Sequence, residues 1–284
     1  MTATSKAGSI EVPWELLTLP AFPSVAAKAI QLLSGTDTRL LELYQVIAAD
    51  PSFSSEVLRI ANSPLFALPS AVKNLSQATM LLGFERLKGV AVTIGIRSYV
   101  KDLLKVPALQ ACWRHSLACA MIAEEATSTT KRRLDDGYTA GILHDLGRIA
   151  LAAIRPKDYA RLLEAAQGQP HDVRQRERDL FGVDHCEAGK ALVDAWRLPE
   201  ELVAIMSCHH DEVKANKDFD VTAVVHYSCR FADALGFYAV KPHRPVSYEA
   251  LLREVPLNEQ KMFRFEPQSM ALAIAARIDE LAAG

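Results

Sequence analysis

A histidine and an aspartate stand side by side at positions 144 and 145, within the apolar, glycine-flanked run GILHDLGRI of residues 141–149. Good helix formers continue after this run until Pro156, which cannot extend a helix. The pattern therefore predicts that His144 and Asp145 lie inside a helix that the core covers on most sides. Burying two polar side chains there costs about 1–3 kcal/mol each unless both are paired.

Two arrangements could pair them. A divalent metal would satisfy both side chains at once, because neutral imidazole and carboxylate are common metal ligands. Alternatively, His144 could bond to a backbone carbonyl, and Asp145 could pair with Arg148 one turn further along.

Four more histidines lie within or beside predicted helices of the second half: His115, His185, His209 and His210. The helical neighbours of His115 and His144 are small, which leaves the space that a metal or ligand cavity requires but is also typical of tight helix packing. His185 in the first turn of its helix could instead be a neutral surface histidine. His209 and His210 at a helix end could be stabilised there by protonation.

The elements that must position these residues are helices. No segment alternates apolar and polar residues for long enough to predict a strand, so the fold class is all-α. Predicted helices cover about residues 24–33, 38–47, 51–60, 76–83, 84–104, 109–127, 157–167, 184–196, 199–208, 221–237 and 269–281, besides the helix of His144. The charged segment 172–180 is predicted to be a solvated face, and residues 241–265 an irregular extension.

Composition excludes several classes of function. The chain has 284 residues, of which 50% are hydrophobic and 23% charged, with a net charge of −2, so nothing attracts it in bulk to nucleic acid or anionic lipid. The one sequence feature that favours nucleic acid is the basic cluster at 131–133. A single such cluster does not predict a nucleic-acid partner. The five cysteines form no C-x-x-C pair and the N-terminus does not resemble a signal peptide, so the sequence predicts a cytoplasmic protein. The longest apolar run, at 89–96, is too short to span a bilayer, so no membrane partner is predicted.

The order His, His-Asp, His, His-His resembles the metal-binding signature of the HD phosphohydrolase superfamily, and more finely the HDOD (HD-related output domain) family. First-half motifs make the finer match specific, because ordinary HD enzymes lack them. The resemblance covers roughly residues 16–235 and rests on residues 19–23, 47–51, 58–63, 78–83, 113–116, 141–147, 182–185 and 209–210.

The resemblance implies an N-terminal helical lobe packed against an HD-like helical lobe. The corresponding division is a flexible tail at 1–15, an HDOD domain at 16–235 made of lobes 16–105 and 106–235, and a C-terminal helical extension at 236–284.

The resemblance also implies site residues and reveals two departures. His115, His144, Asp145, His185, His209 and His210 match metal-ligand positions, and Arg148 stands where HD enzymes often carry a phosphate-contacting lysine. The last expected ligand is an aspartate, and Cys229 replaces it, with Asp233 one turn later. The Gly-Tyr-Pro motif of cyclic-di-GMP phosphodiesterases is absent after His210.

Two functions fit these residues. The first is a bacterial signal-transduction module that binds signalling proteins, without efficient catalysis, its metal site vestigial or structural. The second is a metal-dependent phosphohydrolase acting on a nucleotide or cyclic nucleotide, with Asp145 and Arg148 as its catalytic residues. The implied cofactor is a divalent metal (Fe, Mn, Zn or Mg), or none, and a nucleotide ligand is compatible with both functions. Cysteine at position 229 favours the first function, although a thiolate could still bind a soft metal such as zinc.

Overall fold

A computed structural model describes residues 23–32, 39–63, 71–130, 136–170, 172–211 and 219–282. The predicted tail at 1–15 and the basic cluster at 131–133 lie outside these residues. Within them the chain is helical and has no strand, which confirms the all-α prediction.

The first lobe is a layer of three helices packed on a long one. These helices are α1 (Ser24–Gln31), α2 (Arg39–Ala48) and α3 (Pro51–Ala61), and all three contact α4 (Leu75–Val100). The start of α3 is determined locally, because the Asp50 side chain accepts a hydrogen bond from the Phe53 amide at 3.0 Å and Pro51 occupies the first helical position.

Helix α4 is interrupted at Gly83, which has a φ of 71° and a ψ of −179°. Only glycine adopts this conformation without a steric penalty, which explains why the sequence predicts a helix boundary there. The second half of α4 is largely buried and reaches the other lobe, where the hydroxyl groups of Thr93 and Tyr138 lie 2.9 Å apart.

The second lobe is arranged around one central helix, α5 (Pro107–Ser128), which packs against α6 (Gly137–Leu143) and α12 (Val221–Ala234). The remaining helices of this lobe are α7 (Leu146–Ile154), α8 (Pro156–Ala166), α9 (Val173–Phe181), α10 (His185–Ala195) and α11 (Leu202–Cys208). A capping box starts α10, since Asp184 accepts from the amide of Glu187 and the Glu187 side chain accepts from the amide of Asp184.

The prediction that His144 and Asp145 lie inside a helix is wrong. Helix α6 ends at Leu143 and α7 begins at Leu146, so the two residues form the break between them. Helix α7 packs against α10, and a side chain at Gly147 would overlap the carbonyl oxygen of His185. The close approach of α7 to α10 therefore requires glycine at position 147.

The C-terminal residues fold back on the second lobe. They contain α13 (Tyr248–Glu254), a 3₁₀ turn (Gln260–Phe263) and α14 (Pro267–Ala282), so the irregular extension predicted at 241–265 includes a helix. Arg277 of α14 pairs with Glu124 of α5 at 3.0 Å.

One continuous cluster of buried apolar side chains runs through both lobes and these C-terminal helices. Where the chain divides into domains stays a prediction. Among the described residues, no helix combines the length and the apolar character that a membrane span requires.

Candidate metal centre

The structure brings all six predicted ligand residues together at the centre of the second lobe. Each comes from a helix or a helix end: His115 from α5, His144 and Asp145 from the α6–α7 break, His185 from the first turn of α10, and His209 and His210 from the end of α11. The imidazole rings form a chain, with centroids 5.4 Å apart for His115 and His144, 4.9 Å for His144 and His209, and 4.2 Å for His209 and His210.

Asp145 lies in the middle of this chain of rings. Its Oδ1 is 3.4 Å from Nε2 of His209 and 3.6 Å from Nε2 of His185, and its Oδ2 is 3.8 Å from Nε2 of His144. Its carboxylate is therefore the group that faces most of the histidines.

The hydrogen bonds at Nδ1 determine where the histidine protons are. Nδ1 of His144 lies 2.6 Å from the carbonyl oxygen of Gly141, and Nδ1 of His209 lies 3.2 Å from that of Ile205. A carbonyl oxygen only accepts, so each of these Nδ1 atoms carries the proton and donates it. Each Nε2 then presents a lone pair toward Asp145, as a metal ligand must.

Three buried polar atoms meet here without a hydrogen-bond partner among the described residues: Nε2 of His144, Nε2 of His209 and Oδ1 of Asp145. All three are acceptors, and acceptors that face one another without a donor are costly in a buried site. A bound cation would satisfy all three, and imidazole with carboxylate is a common donor set for divalent metals. The residues present therefore fit a divalent metal; that they bind one stays a prediction.

The electrostatics keep these ligands in the metal-binding protonation state. Burial lowers the pKa of both His144 and His209, so both imidazoles are neutral at pH 7. Burial opposes the charge of Asp145, but the guanidinium of Arg148 holds the pKa of that carboxyl well below its ordinary value.

Glu177 is a site residue that sequence reasoning missed. It is 0% exposed, and its Oε2 accepts from Nδ1 of His185 at 2.6 Å, while its Oε1 accepts from the hydroxyl of Tyr159 at 2.7 Å and from Nη1 of Arg148 at 3.2 Å. Carboxylates in this position orient a metal-ligating histidine and fix its tautomer.

Two expectations are therefore corrected. The solvated face predicted at 172–180 is wrong for Glu177, because that helix turns this one carboxylate inward against His185. The alternative of a neutral surface histidine at 185 is wrong as well, since His185 is buried. Burial and Arg148 oppose its charge, but Glu177 raises the pKa of His185 to about 10. No periodicity marks a single buried carboxylate among arginines, so the sequence carried no usable signal for Glu177.

Arg148 makes the ion pair that the sequence offered as an alternative to a metal. Its Nε donates to Oδ2 of Asp145 at 2.9 Å, and its Nη1 donates to Glu177. The pair occupies only one oxygen of Asp145, and the other remains without a donor. The alternative pairing is thus present without satisfying the site.

Cys229 of α12 faces the same cluster from the opposite side. Its Sγ lies 3.3 Å from Nε2 of His115, whose Nδ1 is 2.7 Å from the carbonyl oxygen of Phe237. Burial raises the pKa of the Cys229 thiol well above its ordinary value. Asp233 lies at the other edge of the same ring, with Oδ1 3.4 Å from Nδ1 of His115, and its side chain is 37% exposed.

A cavity of about 550 Å³ opens onto this cluster. Its floor includes His115, Asp145 and Cys229. Part of its wall is formed by residues 239–243, which lie beyond the region that the sequence resemblance covers. Lys241 is held there by backbone contacts with α8 and the turn after it, since its carbonyl accepts from the amide of Gly168 at 2.8 Å.

An all-α fold with a histidine and aspartate cluster between helix ends defines a protein of the HD type. The HDOD domain family model matches residues 19–212, so the chain belongs to the HDOD family.

Solved structures agree with this assignment. The chain is similar to an HDOD domain protein of unknown function from Geobacter sulfurreducens, with 26% identity, a TM-score of 0.73, and coverage of 93% of this chain and 91% of that one. A candidate signal transduction protein from Marinobacter aquaeolei VT8 matches with 22% identity and a TM-score of 0.73 over 96% of this chain and 62% of that one. A candidate phosphohydrolase from Shewanella amazonensis SB2B matches with 19% identity and a TM-score of 0.65 over 96% and 97%.

A curated relative is an uncharacterized protein of Treponema pallidum (strain Nichols), 21% identical over 246 residues. The match covers 84% of this chain and 48% of the relative, so the chain spans about half the length of that protein.

Proposed function

We propose that the chain is a regulatory signal-transduction module of the HDOD type, which binds signalling proteins and has no efficient phosphohydrolase activity. The observation that carries this proposal is the thiol of Cys229 beside His115, where the family resemblance calls for a carboxylate. Hard cations such as Mg²⁺ and Mn²⁺, which serve phosphoryl chemistry, prefer oxygen ligands.

The engagement of Arg148 supports the same proposal. A residue that steadies a phosphate must have free donors directed at it, as bidentate arginine contacts require. Here two nitrogens of the guanidinium are bonded to Asp145 and Glu177, and the side chain is buried. A phosphate would have to compete with Asp145 and Glu177 for Nε and Nη1 of this guanidinium. The similar protein from Marinobacter, described as a candidate signal transduction protein, is consistent with a signalling role.

In this proposal a metal is structural. His144, Asp145 and His209 would hold it, His185 would join them by giving up its Nε2 proton to solvent, and Glu177 would orient His185. A metal in this position would link four helix ends of the second lobe, and its binding free energy would add to the stability of the fold. The surfaces around the site would then be held in one conformation for a partner.

A second candidate, a metal-dependent phosphohydrolase, is favoured by one observation. Asp145 and the inward-facing histidines lie at the floor of an open cavity of about 550 Å³, which is large enough for a nucleotide. A bound divalent metal would supply Lewis-acid activation of water there. The similar candidate phosphohydrolase of Shewanella fits this alternative.

The deciding experiment is metal analysis of protein purified without a histidine tag, together with a hydrolysis screen. The screen would use a generic phosphodiester and cyclic and linear nucleotides, each with Mg²⁺, Mn²⁺, Fe²⁺ or Zn²⁺, and Asp145→Ala as the matched control. We expect turnover no higher than that of the control. Stoichiometric metal together with turnover that Asp145→Ala abolishes would overturn the proposal and establish the alternative.

A further inference from the structure

The cluster contains a second set of ligand atoms beside the one centred on Asp145. Nε2 of His115, Nε2 of His144 and Sγ of Cys229 lie within 4.8 Å of one another, and all three residues are buried. The set joins α5, the α6–α7 break and α12.

Both histidines of this set carry their proton on Nδ1, which leaves a lone pair on each Nε2. Nδ1 of His115 donates to the carbonyl of Phe237 at 2.7 Å, and Nδ1 of His144 donates to that of Gly141 at 2.6 Å. Nε2 of His144 is buried and has no hydrogen-bond partner among the described residues. That unpartnered atom is an observation, independent of the cysteine, that points to a ligand.

The separation of the sulfur from the nearest imidazole nitrogen fits a tetrahedral thiophilic ion. With bonds of about 2.3 Å to sulfur and about 2.0–2.1 Å to imidazole nitrogen, tetrahedral zinc places neighbouring S and N ligand atoms about 3.5 Å apart. The observed separation of Sγ of Cys229 and Nε2 of His115 is 3.3 Å. Oδ2 of Asp145 lies 3.8 Å from Nε2 of His144 but already accepts from Nε of Arg148, so the subsite is defined by the three residues alone.

We propose that Cys229, His115 and His144 form a thiophilic metal subsite that binds Zn²⁺ or Co²⁺ through the Cys229 thiolate in preference to Mn²⁺ or Mg²⁺. The metal replaces the thiol proton, which leaves to solvent, and the sulfur becomes an anionic ligand. The cysteine therefore changes the kind of metal that this centre accepts. This inference rests on the structural metal of the proposed function and concerns the identity of that metal.

The test is a Co²⁺ titration of the full chain followed by absorption spectroscopy. A thiolate ligand gives a sulfur-to-cobalt charge-transfer band in the near ultraviolet, and oxygen and nitrogen ligands do not. The variants are Cys229→Ser and Cys186→Ser, the latter because Cys186 belongs to the rival group with His185, His209 and His210. Cys208→Ser controls for the exposed thiol.

We expect the band in the wild type, in Cys186→Ser and in Cys208→Ser, and its loss in Cys229→Ser. The Co²⁺ affinity of Cys229→Ser should fall at least about 100-fold, because even the partners of ligands affect metal affinity about 10- to 100-fold. Added Zn²⁺ should displace Co²⁺ and remove the band, and Mn²⁺ in excess should not.

Wild-type protein that binds no Co²⁺, or binds it without the band, overturns the inference even if Cys229→Ser fails to fold. Loss of the band in Cys186→Ser, with its retention in Cys229→Ser, would assign the thiolate to the rival group. The Co²⁺ experiment does not measure turnover. If the band is missing, the thiophilic subsite is refuted and the proposed regulatory function is unaffected. If the protein hydrolyses a phosphodiester, the regulatory function is refuted and the band is unaffected.

Discussion

Replacing Cys229 by aspartate would put a carboxylate where the family resemblance expects the last ligand. The side chain is buried, its Sγ is 3.3 Å from Nε2 of His115, and Asp145 lies in the same cluster. The substitution should therefore act in opposite directions with and without metal. It should strengthen Mn²⁺ binding, because oxygen ligands suit that ion, and weaken the metal-free fold.

The size of the loss follows from the surroundings. Arg148, the cation of this cluster, is already bonded to Asp145 and Glu177, so the new carboxylate would compete for a partner that is in use. Leaving a buried charge without compensation costs about 3–5 kcal/mol. We expect a loss at the lower end of this range, about 3 kcal/mol, because position 229 lines the open cavity, where water can offset part of the cost. For a chain of this size the loss corresponds to a decrease of roughly 6–12 °C in Tm.

The assay combines calorimetric Mn²⁺ titration with thermal and chemical denaturation of the metal-free proteins. We expect at least about a tenfold gain in Mn²⁺ affinity, equivalent to about 1.4 kcal/mol. Cys119→Asp is the matched control, because Cys119 is equally buried but belongs to none of the candidate ligand groups. It should lose stability without gaining Mn²⁺ affinity.

A Cys229→Asp variant with unchanged Mn²⁺ affinity and unchanged stability would refute the reasoning, because position 229 would then not face the ligands. A gain in Cys119→Asp equal to that in Cys229→Asp would show that any buried carboxylate in this lobe attracts the ion.

Three further predictions concern the same centre and the core around it. EDTA should lower the Tm of the wild type but not that of His144→Ala or Asp145→Ala, because each variant lacks a ligand; a wild-type Tm that EDTA leaves unchanged would contradict a structural metal. Glu177→Gln removes the buried charge that orients His185. It should reduce metal affinity about 10- to 100-fold, measured by calorimetry, and lower the free energy of unfolding by about 3 kcal/mol, measured by chemical denaturation. Limited proteolysis should yield no stable fragment that ends near residue 105, because the buried apolar cluster is continuous across that point; such a fragment would indicate that the lobes fold separately.

Local chemistry explains what the sequence determined by itself. The helical class and the helix break at Gly83 depend on residues close together along the chain, so their patterns predict them correctly. The Asp50 cap and the capping box of Asp184 and Glu187 are equally local. The sequence also pointed to His144 and Asp145, because a histidine next to an aspartate in an apolar run is costly without a function, and the family resemblance implied all six candidate ligands; that they bind a metal stays a prediction.

Tertiary packing decided the rest. The break at His144 and Asp145 was not predicted, because the apolar run around this pair is compatible with one continuous helix; the structure ends α6 at Leu143 and begins α7 at Leu146. The role of Glu177 was missed because the charge pattern of its helix predicts that its carboxylate faces solvent. Only the packing of α9 near α10 brings that carboxylate to His185.

The proton positions and the metal preference also depend on contacts between distant segments. Phe237 is far from His115 along the chain, yet its carbonyl directs the His115 lone pair toward Cys229. The sequence identified Cys229 as a departure from the family pattern, but only the packing of α12 against α5 brings its sulfur within reach of a metal ligand. Residue types thus determine which atoms can bind a metal. The tertiary structure determines which of these atoms lie together, because a metal site requires ligand atoms within a few ångströms of one another, and the order of residues along the chain does not specify such distances.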